Sequence, residues 1–280
     1  MNQNKVLIVG AGWLGLPLAK ALINKGYDVT ATRTTAEGVN ELEQADLNAI
    51  ALNLSELSSA DKQLAVTNQL INLDVETIIG CFPPGFRTGG GALYASQWET
   101  LCNMAKSAGV KKLVMVSSTS VYPDRAEIMT EDMARLPTAK GRDDFSAKAI
   151  IMLTAEEYVR NSTLDYAIVR CSGLFGPNRH PSRFASKLKS VSDQATANML
   201  HLDDAIGSVV FALEHIDASV VNATTPRSCD KVTFYRAALR AAGLDTSLNL
   251  VNSVPDKTIS SDKLQSLGYH FKYQSTLDAL

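Results

Sequence analysis

A short apolar run that ends in a glycine-spaced turn constrains this chain more than any other feature in it. Lys5-Val6-Leu7-Ile8-Val9 carries no charge after Lys5, and Gly10, Gly12 and Gly15 follow in G-x-G-x-x-G spacing. Across 13–25, Leu14, Leu18, Leu22 and Ile23 fall at helical spacing. Strand, glycine turn and helix in that order predict a dinucleotide-binding βαβ unit. Gly10 permits the tight turn, Gly12 lets backbone N–H groups approach a pyrophosphate, and Gly15 lets helix and strand pack closely. The phosphates would rest on the helix N-terminus, where unpaired N–H groups and the dipole favour an anion. Leu14 stands beside them, and Trp13 either packs there or lines the cofactor.

Segments of the two kinds alternate through the first two-thirds of the chain. Strands are predicted at 6–9, 28–32, 49–52, 77–81, 112–117 and 166–170, all rich in Val, Ile and Leu as buried parallel strands are. Helices are predicted at 13–25, 35–45, 60–72, 95–108 and 142–161, with Gly26 and Gly109 as C-terminal caps. The pattern predicts an α/β fold, a doubly wound parallel (Rossmann) sheet with right-handed crossovers and ligands at the carboxyl ends of its strands. After Arg170 the rhythm breaks at Gly173, Gly176-Pro177-Asn178 and Pro181-Ser182. A strand at 199–202, a helix at 203–215, a strand at 220–222, a helix at 234–242 ended by Gly243, a strand at 248–251 and a small helix before Gly268 complete the reading. The expected organisation is a nucleotide-binding domain over 1–170, completed by about 198–225, and a smaller C-terminal substrate lobe from 171–197 and 226–280.

Composition excludes several classes. A net charge of −2 over 280 residues gives no electrostatic case for nucleic acid or an anionic membrane, and no apolar run reaches a membrane span. The first strand begins too early to leave room for a secretory signal. Cys81, Cys102, Cys171 and Cys229 are far apart and form no C-x-x-C, so neither disulfides nor a metal site is expected, and a reducing cytoplasm is the natural compartment. Cys81 and Cys171 read first as small hydrophobes in strands rather than as catalytic thiols.

The tip of the second strand chooses between cofactors. An acidic residue there would hydrogen-bond a ribose 2′-OH and repel a 2′-phosphate. The tip reads Thr30-Ala31-Thr32-Arg33-Thr34-Thr35, and Asp28 lies at the strand's start, too far back to reach. A guanidinium with adjacent hydroxyls suits a phosphate, so Arg33 and Thr34 favour NADP over NAD. Alternatively Arg33 is a solvated surface residue and either cofactor binds. Phe82-Pro83-Pro84-Gly85 would pass beside the adenine ribose, and Gly89-Gly90-Gly91 beyond it suggests a mobile loop.

Four further segments, in order, resemble the extended short-chain dehydrogenase/reductase superfamily, the nucleotide-sugar epimerases and dehydratases. Leu113-Val114-Met115-Val116-Ser117-Ser118-Thr119-Ser120-Val121-Tyr122 is similar to its fifth strand and S-S-x-S-V-Y-G motif, with Pro123 for the glycine. Val169-Arg170-Cys171-Ser172-Gly173-Leu174-Phe175-Gly176-Pro177 is similar to its sixth strand and R-x-x-x-x-Y-G-P turn. Leu200-His201-Leu202-Asp203-Asp204-Ala205 is similar to V-H-V-D-D-V, and Val221-Asn222-Ala223 to the strand that follows. The tail Lys263-Leu264-Gln265-Ser266-Leu267-Gly268-Tyr269 resembles the family's ending. The spacing G-A-G-W-L-G points to an atypical bacterial subgroup, epimerase-like in kind.

In that family a Tyr moves the proton, a Lys four residues later lowers its pKa and holds the nicotinamide ribose, and a Ser or Thr orients the substrate oxygen. The resemblance puts Ser118 on the Ser/Thr position and Ser117 and Cys171 beside the cofactor. It puts Lys148 on the lysine position, but Asp144 stands where the tyrosine should, and no tyrosine of the chain has a lysine four residues later. Asp144 and Lys148 would serve as a proton acceptor and its neighbour, or as an i,i+4 ion pair on a wet helix face. Tyr122 is a substitute shuttle or a packed side chain. On the loop after the sixth strand, Arg179 would hold a substrate phosphate or carboxylate and His180 would titrate near neutrality, unless both belong to a surface turn. His201 reads as a packed strand-end residue.

Two functions compete. One is an NADP-dependent oxidoreductase or epimerase acting on a small polar or nucleotide-linked substrate, as a monomer or homodimer. The other is a non-catalytic NADP-binding redox sensor or regulator. A scaffold without cofactor is a third, weakened by the intact glycine motif and Arg33.

Overall fold

The computed structural model describes residues 4–87 and 89–280. Strands β1 (Lys5–Val9), β2 (Asp28–Arg33), β3 (Asn48–Ala51), β4 (Thr77–Gly80), β5 (Lys112–Ser118), β6 (Asp165–Cys171) and β7 (Ser219–Ala223) pair in the order β7-β6-β5-β4-β1-β2-β3. Every pairing is parallel. The order reverses between β1 and β4, which opens a crevice beyond their carboxyl ends.

The inner residues of β1, β4, β5 and β6 are apolar because both faces of the sheet are covered there, whereas β2 and the edge strand β3 carry polar residues. Leu7, Val9, Ile78, Leu113 and Met115 belong to one core; Val6, Ile8, Val29, Ile79 and Val114 belong to the other. Helices α1 (Gly15–Asn24) and α2 (Ala36–Glu43) cover the second face, and α3 (Ala60–Asn72), α4 (Tyr94–Ser107) and α5 (Ala147–Arg160) the first. Helix α6 (Leu202–His215) returns to the second face through Val209 and Leu213, and α7 (Lys231–Ala241) contributes Phe234 to a small core with Phe175 and Ala197. Three short parallel pairs tie the later segments down: Gly173–Phe175 with Met199–His201, Val191–Ser192 with Val251–Asn252, and Ile128–Met129 with Thr258–Ile259.

Three expectations need correction. The long helix predicted from 142 begins at Ala147, because Gly141 takes a positive φ of 81° and the Ser146 hydroxyl caps the helix by accepting from Ala149 N. Asp144 and Lys148 therefore share no helical face. Asp144 instead binds Arg142 through two hydrogen bonds of 3.0 and 2.7 Å and lies 3.3 Å from Arg125 Nε. The helix predicted from 234 begins three residues earlier, at Lys231, where the Asp230 carboxylate accepts from Thr233 N. The strand predicted at 248–251 is only Val251–Asn252, since its sole partner is two residues long.

Behind the end of β5 lies a buried polar network. Arg170, wholly buried, donates to both carboxylate oxygens of Glu156, to the Tyr122 hydroxyl and to the carbonyls of Glu131 and Ala134. Tyr122 donates to Asn222 Oδ1 at 2.6 Å, and Glu131 Oε1 accepts from Asn222 N at 2.7 Å. On the far side Asp204 accepts from the backbone N–H groups of Lys272 and Tyr273, which holds the tail against α6.

Candidate functional site

A cleft of about 530 Å³ opens beyond the carboxyl ends of β1, β2, β4 and β5. Gly10, Gly12, Trp13, Leu14, Arg33, Thr34, Phe82, Pro83, Ser117, Ser118 and Arg179 all line it. A separate hollow of about 420 Å³ lies at the amino ends of β1–β3, among Lys5, Asp28, Asn48 and Asn72, the end of such sheets that does not take ligands.

The glycine loop is built for close approach. Gly10 has φ +94°, and a Cβ there would come within 2.9 Å of Phe82 N. Gly15 is packed so tightly that a Cβ would strike Gly10 O, so it shapes the loop without lining the cleft. Gly12 faces open space, with nothing within 4 Å of where its Cβ would be. The Thr32 hydroxyl accepts from Gly10 N at 3.0 Å and pins the turn to β2. Leu14, which precedes α1, supplies no capping side chain, and the first turn has no acid. By contrast α2, α3, α5 and α7 are capped by Thr35, Ser59, Ser146 and Asp230. The room before Gly12 and the uncapped helix end fit a pyrophosphate.

At the tip of β2 the Arg33 side chain lies against Gly38 and reaches Glu41 only at 3.9 Å. Its Nε is buried without a hydrogen-bond partner. Phe82 stacks on Trp98 with centroids 4.9 Å apart and meets Tyr94 edge-on, forming the apolar inner wall.

The reacting end differs from expectation. Ser118 lines the cleft, and its hydroxyl also accepts from Ser120 N at 3.1 Å. The Ser117 hydroxyl donates to Glu156 at 2.7 Å and joins the cleft to the buried network. From α5 the residue in the cleft is Met152; Lys148, one turn earlier, is exposed and does not line it. Tyr122 is turned away, and burial pushes its phenol up to about 12 against the pull of Arg170, so the structure does not bring it to the cleft. Cys171 is also buried outside the lining, its thiol pushed up to about 12. His180 lies beside the cleft, with Nδ1 2.8 Å from the Ser182 hydroxyl. Trp13 both lines the cleft and bridges it, since its Nε1 donates to Pro177 O at 2.9 Å.

Sequence reasoning missed Leu52, Asn53, Ser55, Tyr94, Gln97 and Met152 in the lining. Asn53 and Ser55 follow β3 and Gln97 sits on α4, where only the sheet order makes them neighbours; Gln97 Nε2 donates to Ser55 Oγ at 2.9 Å.

A family model described as the NAD dependent epimerase/dehydratase family matches residues 6–228. The chain belongs to that family. It is 28% identical over 284 residues to Protein YeeZ of Escherichia coli (strain K12), with 98% of each chain covered. Among solved structures it is similar to the Bordetella bronchiseptica enzyme WbmH in complex with NAD+, at TM-score 0.78 and 16% identity over 99% of this chain and 96% of that one. It is similar too to the UDP-glucuronic acid 4-epimerase of Bacillus cereus in complex with UDP-glucuronic acid and NAD, at TM-score 0.75 and 18% identity over 98% and 96% of the two chains. These likenesses are of fold, and they match the extended dehydrogenase/reductase architecture that the motifs implied. No helix among the described residues is long and apolar enough to cross a membrane.

Proposed function

We propose that the cleft binds a nicotinamide dinucleotide, NADP in preference to NAD, with its pyrophosphate on the glycine loop and its 2′-phosphate at Arg33 and Thr34. The observation that carries this is the buried, partnerless Arg33 Nε at a strand tip without an acid. Leaving such a donor unmade costs about 1–3 kcal/mol, which a phosphate contact recovers. When bound, the cofactor supplies hydride transfer at its nicotinamide. The chain's own part is to cradle it, to exclude water with Phe82, Tyr94 and Met152, and to offer the Ser118 hydroxyl to a substrate oxygen. On this reading the protein is an NADP-dependent oxidoreductase or epimerase, and its substrate is small and polar or nucleotide-linked, held by the loop of Arg179 and His180. The Bacillus cereus neighbour, solved with UDP-glucuronic acid, supports the nucleotide-linked class.

One observation favours the second reading, a non-catalytic NADP-binding sensor. From α5 it is Met152, not Lys148, that lines the cleft, so the residue that the resemblance puts on the family's ribose-holding lysine does not reach it. The phenol that does line the cleft, Tyr94, is held above the ordinary tyrosine value by burial and is a poor acid. Titration with NADPH and NADH, followed by fluorescence and thermal melting, tests the shared claim. At a hundred times Kd a ligand adds about 2.7 kcal/mol to stability. No response to either nucleotide at millimolar concentration overturns both readings. Turnover on aldehydes, ketones or nucleotide-sugars that is lost in Ser118→Ala selects the enzyme; tight binding without turnover selects the sensor.

A further inference from the structure

The lining of the cleft holds two cations and no acid: Arg33, from the tip of β2, and Arg179, from the loop beyond Phe175. A phosphorylated dinucleotide carries negative charge in two places, the 2′-phosphate and the pyrophosphate. Arg33 answers the first. The glycine loop brings no charged side chain to the second, since Gly10 to Leu16 reads Gly-Ala-Gly-Trp-Leu-Gly-Leu. Its own contribution is backbone N–H groups and the helix dipole.

Arg179 stands over that loop. Its guanidinium lies above the ring of Trp13, the residue after Gly12, 5.2 Å from the centroid. Trp13 Nε1 donates to Pro177 O at 2.9 Å, two residues before Arg179. The indole therefore meets the same loop twice, through its N–H and through its face, and so sets where the arginine stands. A guanidinium that stacks on a ring uses its flat face and keeps its N–H edge for an acceptor. Burial first, and then the nearby Arg87 charge, hold Arg179 below the ordinary arginine value, and an anion beside it relieves both.

We propose that Arg179 binds the pyrophosphate of the cofactor rather than the substrate, and that Trp13 is the positioning residue that holds it there. The loop beyond Phe175 then closes on the dinucleotide from the side opposite the glycine turn. This rests on reading the cleft as a dinucleotide site, and it does not depend on the preference for NADP. It takes Arg179 from the substrate and leaves His180 as that loop's residue for it. A guanidinium fork pairs with two phosphate oxygens, which the backbone N–H groups alone leave in need of a counter-charge.

The test is titration with ADP-ribose, which has the pyrophosphate but neither nicotinamide nor 2′-phosphate, and with 2′-AMP, which has the 2′-phosphate but no pyrophosphate, beside NADPH and NADH. Arg179→Ala should lower affinity for ADP-ribose, NADPH and NADH by a common factor of about ten and leave 2′-AMP within about twofold. The unchanged 2′-AMP affinity also shows that the variant is folded. Arg179→Lys keeps the charge without the fork and should fall between. Trp13→Phe keeps a ring without the bond to Pro177 and should lose about threefold on the same three ligands, through faster release. Arg33→Ala should show the opposite pattern, weakening 2′-AMP and sparing ADP-ribose. The proposal is overturned if Arg179→Ala binds ADP-ribose as the wild type does, or if 2′-AMP weakens as much as ADP-ribose. It is overturned too if the loss falls instead on UDP titrated into the NADPH-saturated protein, which would return the arginine to a substrate diphosphate. Should ADP-ribose, NADPH and NADH all fail to bind the wild type at millimolar concentration, the cofactor reading falls and this one with it; normal binding by Arg179→Ala removes this one alone.

Discussion

Two polar clusters flank the end of β5, and they differ in how their atoms are paired. Behind the strand, Arg170, Glu156, Tyr122, Asn222 and Ser117 satisfy one another through bonds of 2.6–3.0 Å. In front of it, Arg33 Nε has no hydrogen-bond partner, and Arg179, whose guanidinium lies over the Trp13 ring, makes no ion pair among the described residues. A satisfied buried network holds elements in register; unpaired polar groups around a cleft mark where a ligand supplies the missing partners. The contrast also separates kinds of motif. Arg170, Tyr122 and Asn222 come from the segments that resemble the family most, and all three lie in the scaffold. Those segments therefore report the fold, while the start of α5 lacks the tyrosine four residues before Lys148 that the resemblance implies.

The largest expected effect breaks the scaffold side. Glu156→Ala leaves the Arg170 charge buried without its partner, which costs about 3–5 kcal/mol in urea unfolding. The fraction that stays folded should bind NADPH as before. A variant within about 1 kcal/mol of the wild type would mean that the network is not what holds β5, β6 and α5 together.

The glycine loop sharpens the comparison, since neighbouring glycines should fail differently. Gly15→Ala drives a methyl into Gly10 O and should destabilise the protein by about 1–3 kcal/mol. Gly12→Ala puts its methyl into the open cleft and should leave melting almost untouched, while NADPH affinity falls about tenfold or about 1.4 kcal/mol. If Gly12→Ala binds NADPH normally, the pyrophosphate does not lie there. Arg33→Ala should weaken NADPH by a similar factor and NADH by less than about twofold; equal losses for the two nucleotides would remove the case for a 2′-phosphate contact.

Local physics made the first half of this site legible. A glycine-spaced turn between a strand and a helix is specified by a dozen consecutive residues, and Gly10 and Gly12 line the same cleft as Arg33 and Thr34 from the tip of the next strand. The other half was legible only in part. Asn53, Ser55 and Gln97 belong to the lining because β3, β2 and β1 stand side by side, and nothing local to those residues says so. Met152 gives no signal at all, being one apolar residue on the inner face of an amphipathic helix. The start of α5 was readable in principle, since Gly141 and Ser146 are a turn glycine and a capping serine that mark a start later than 142. Tyr122 shows the limit most plainly: a motif locates a side chain in the sequence without saying whether its hydroxyl faces the cleft or the core.

The smallest effect concerns His201, a titratable group of the scaffold close to the substrate loop. His201 is 8% exposed, and its ring meets Phe175 and Tyr273 edge-on. Its Nδ1 accepts from Asp203 N at 3.2 Å and so caps α6, which requires that nitrogen to be unprotonated. Burial holds the imidazole below the ordinary histidine value; Asp203 and Asp204 pull it up and Lys272 pushes it down. The unfolded chain therefore takes the proton more readily than the folded one. Stability from this group is complete above the unfolded value of about 6.5 and is lost as pH falls from there toward the folded value. Losing the cap would cost about 1 kcal/mol at most. His201→Asn keeps a capping oxygen that does not titrate, so between about pH 7.5 and pH 5.5 the wild type should lose this much relative to the variant. NADPH affinity should be the same in both, because His201 does not line the cleft. Parallel loss in the two proteins would assign the acid sensitivity elsewhere, and a change in cofactor affinity would mean that the scaffold and the cleft are coupled through α6.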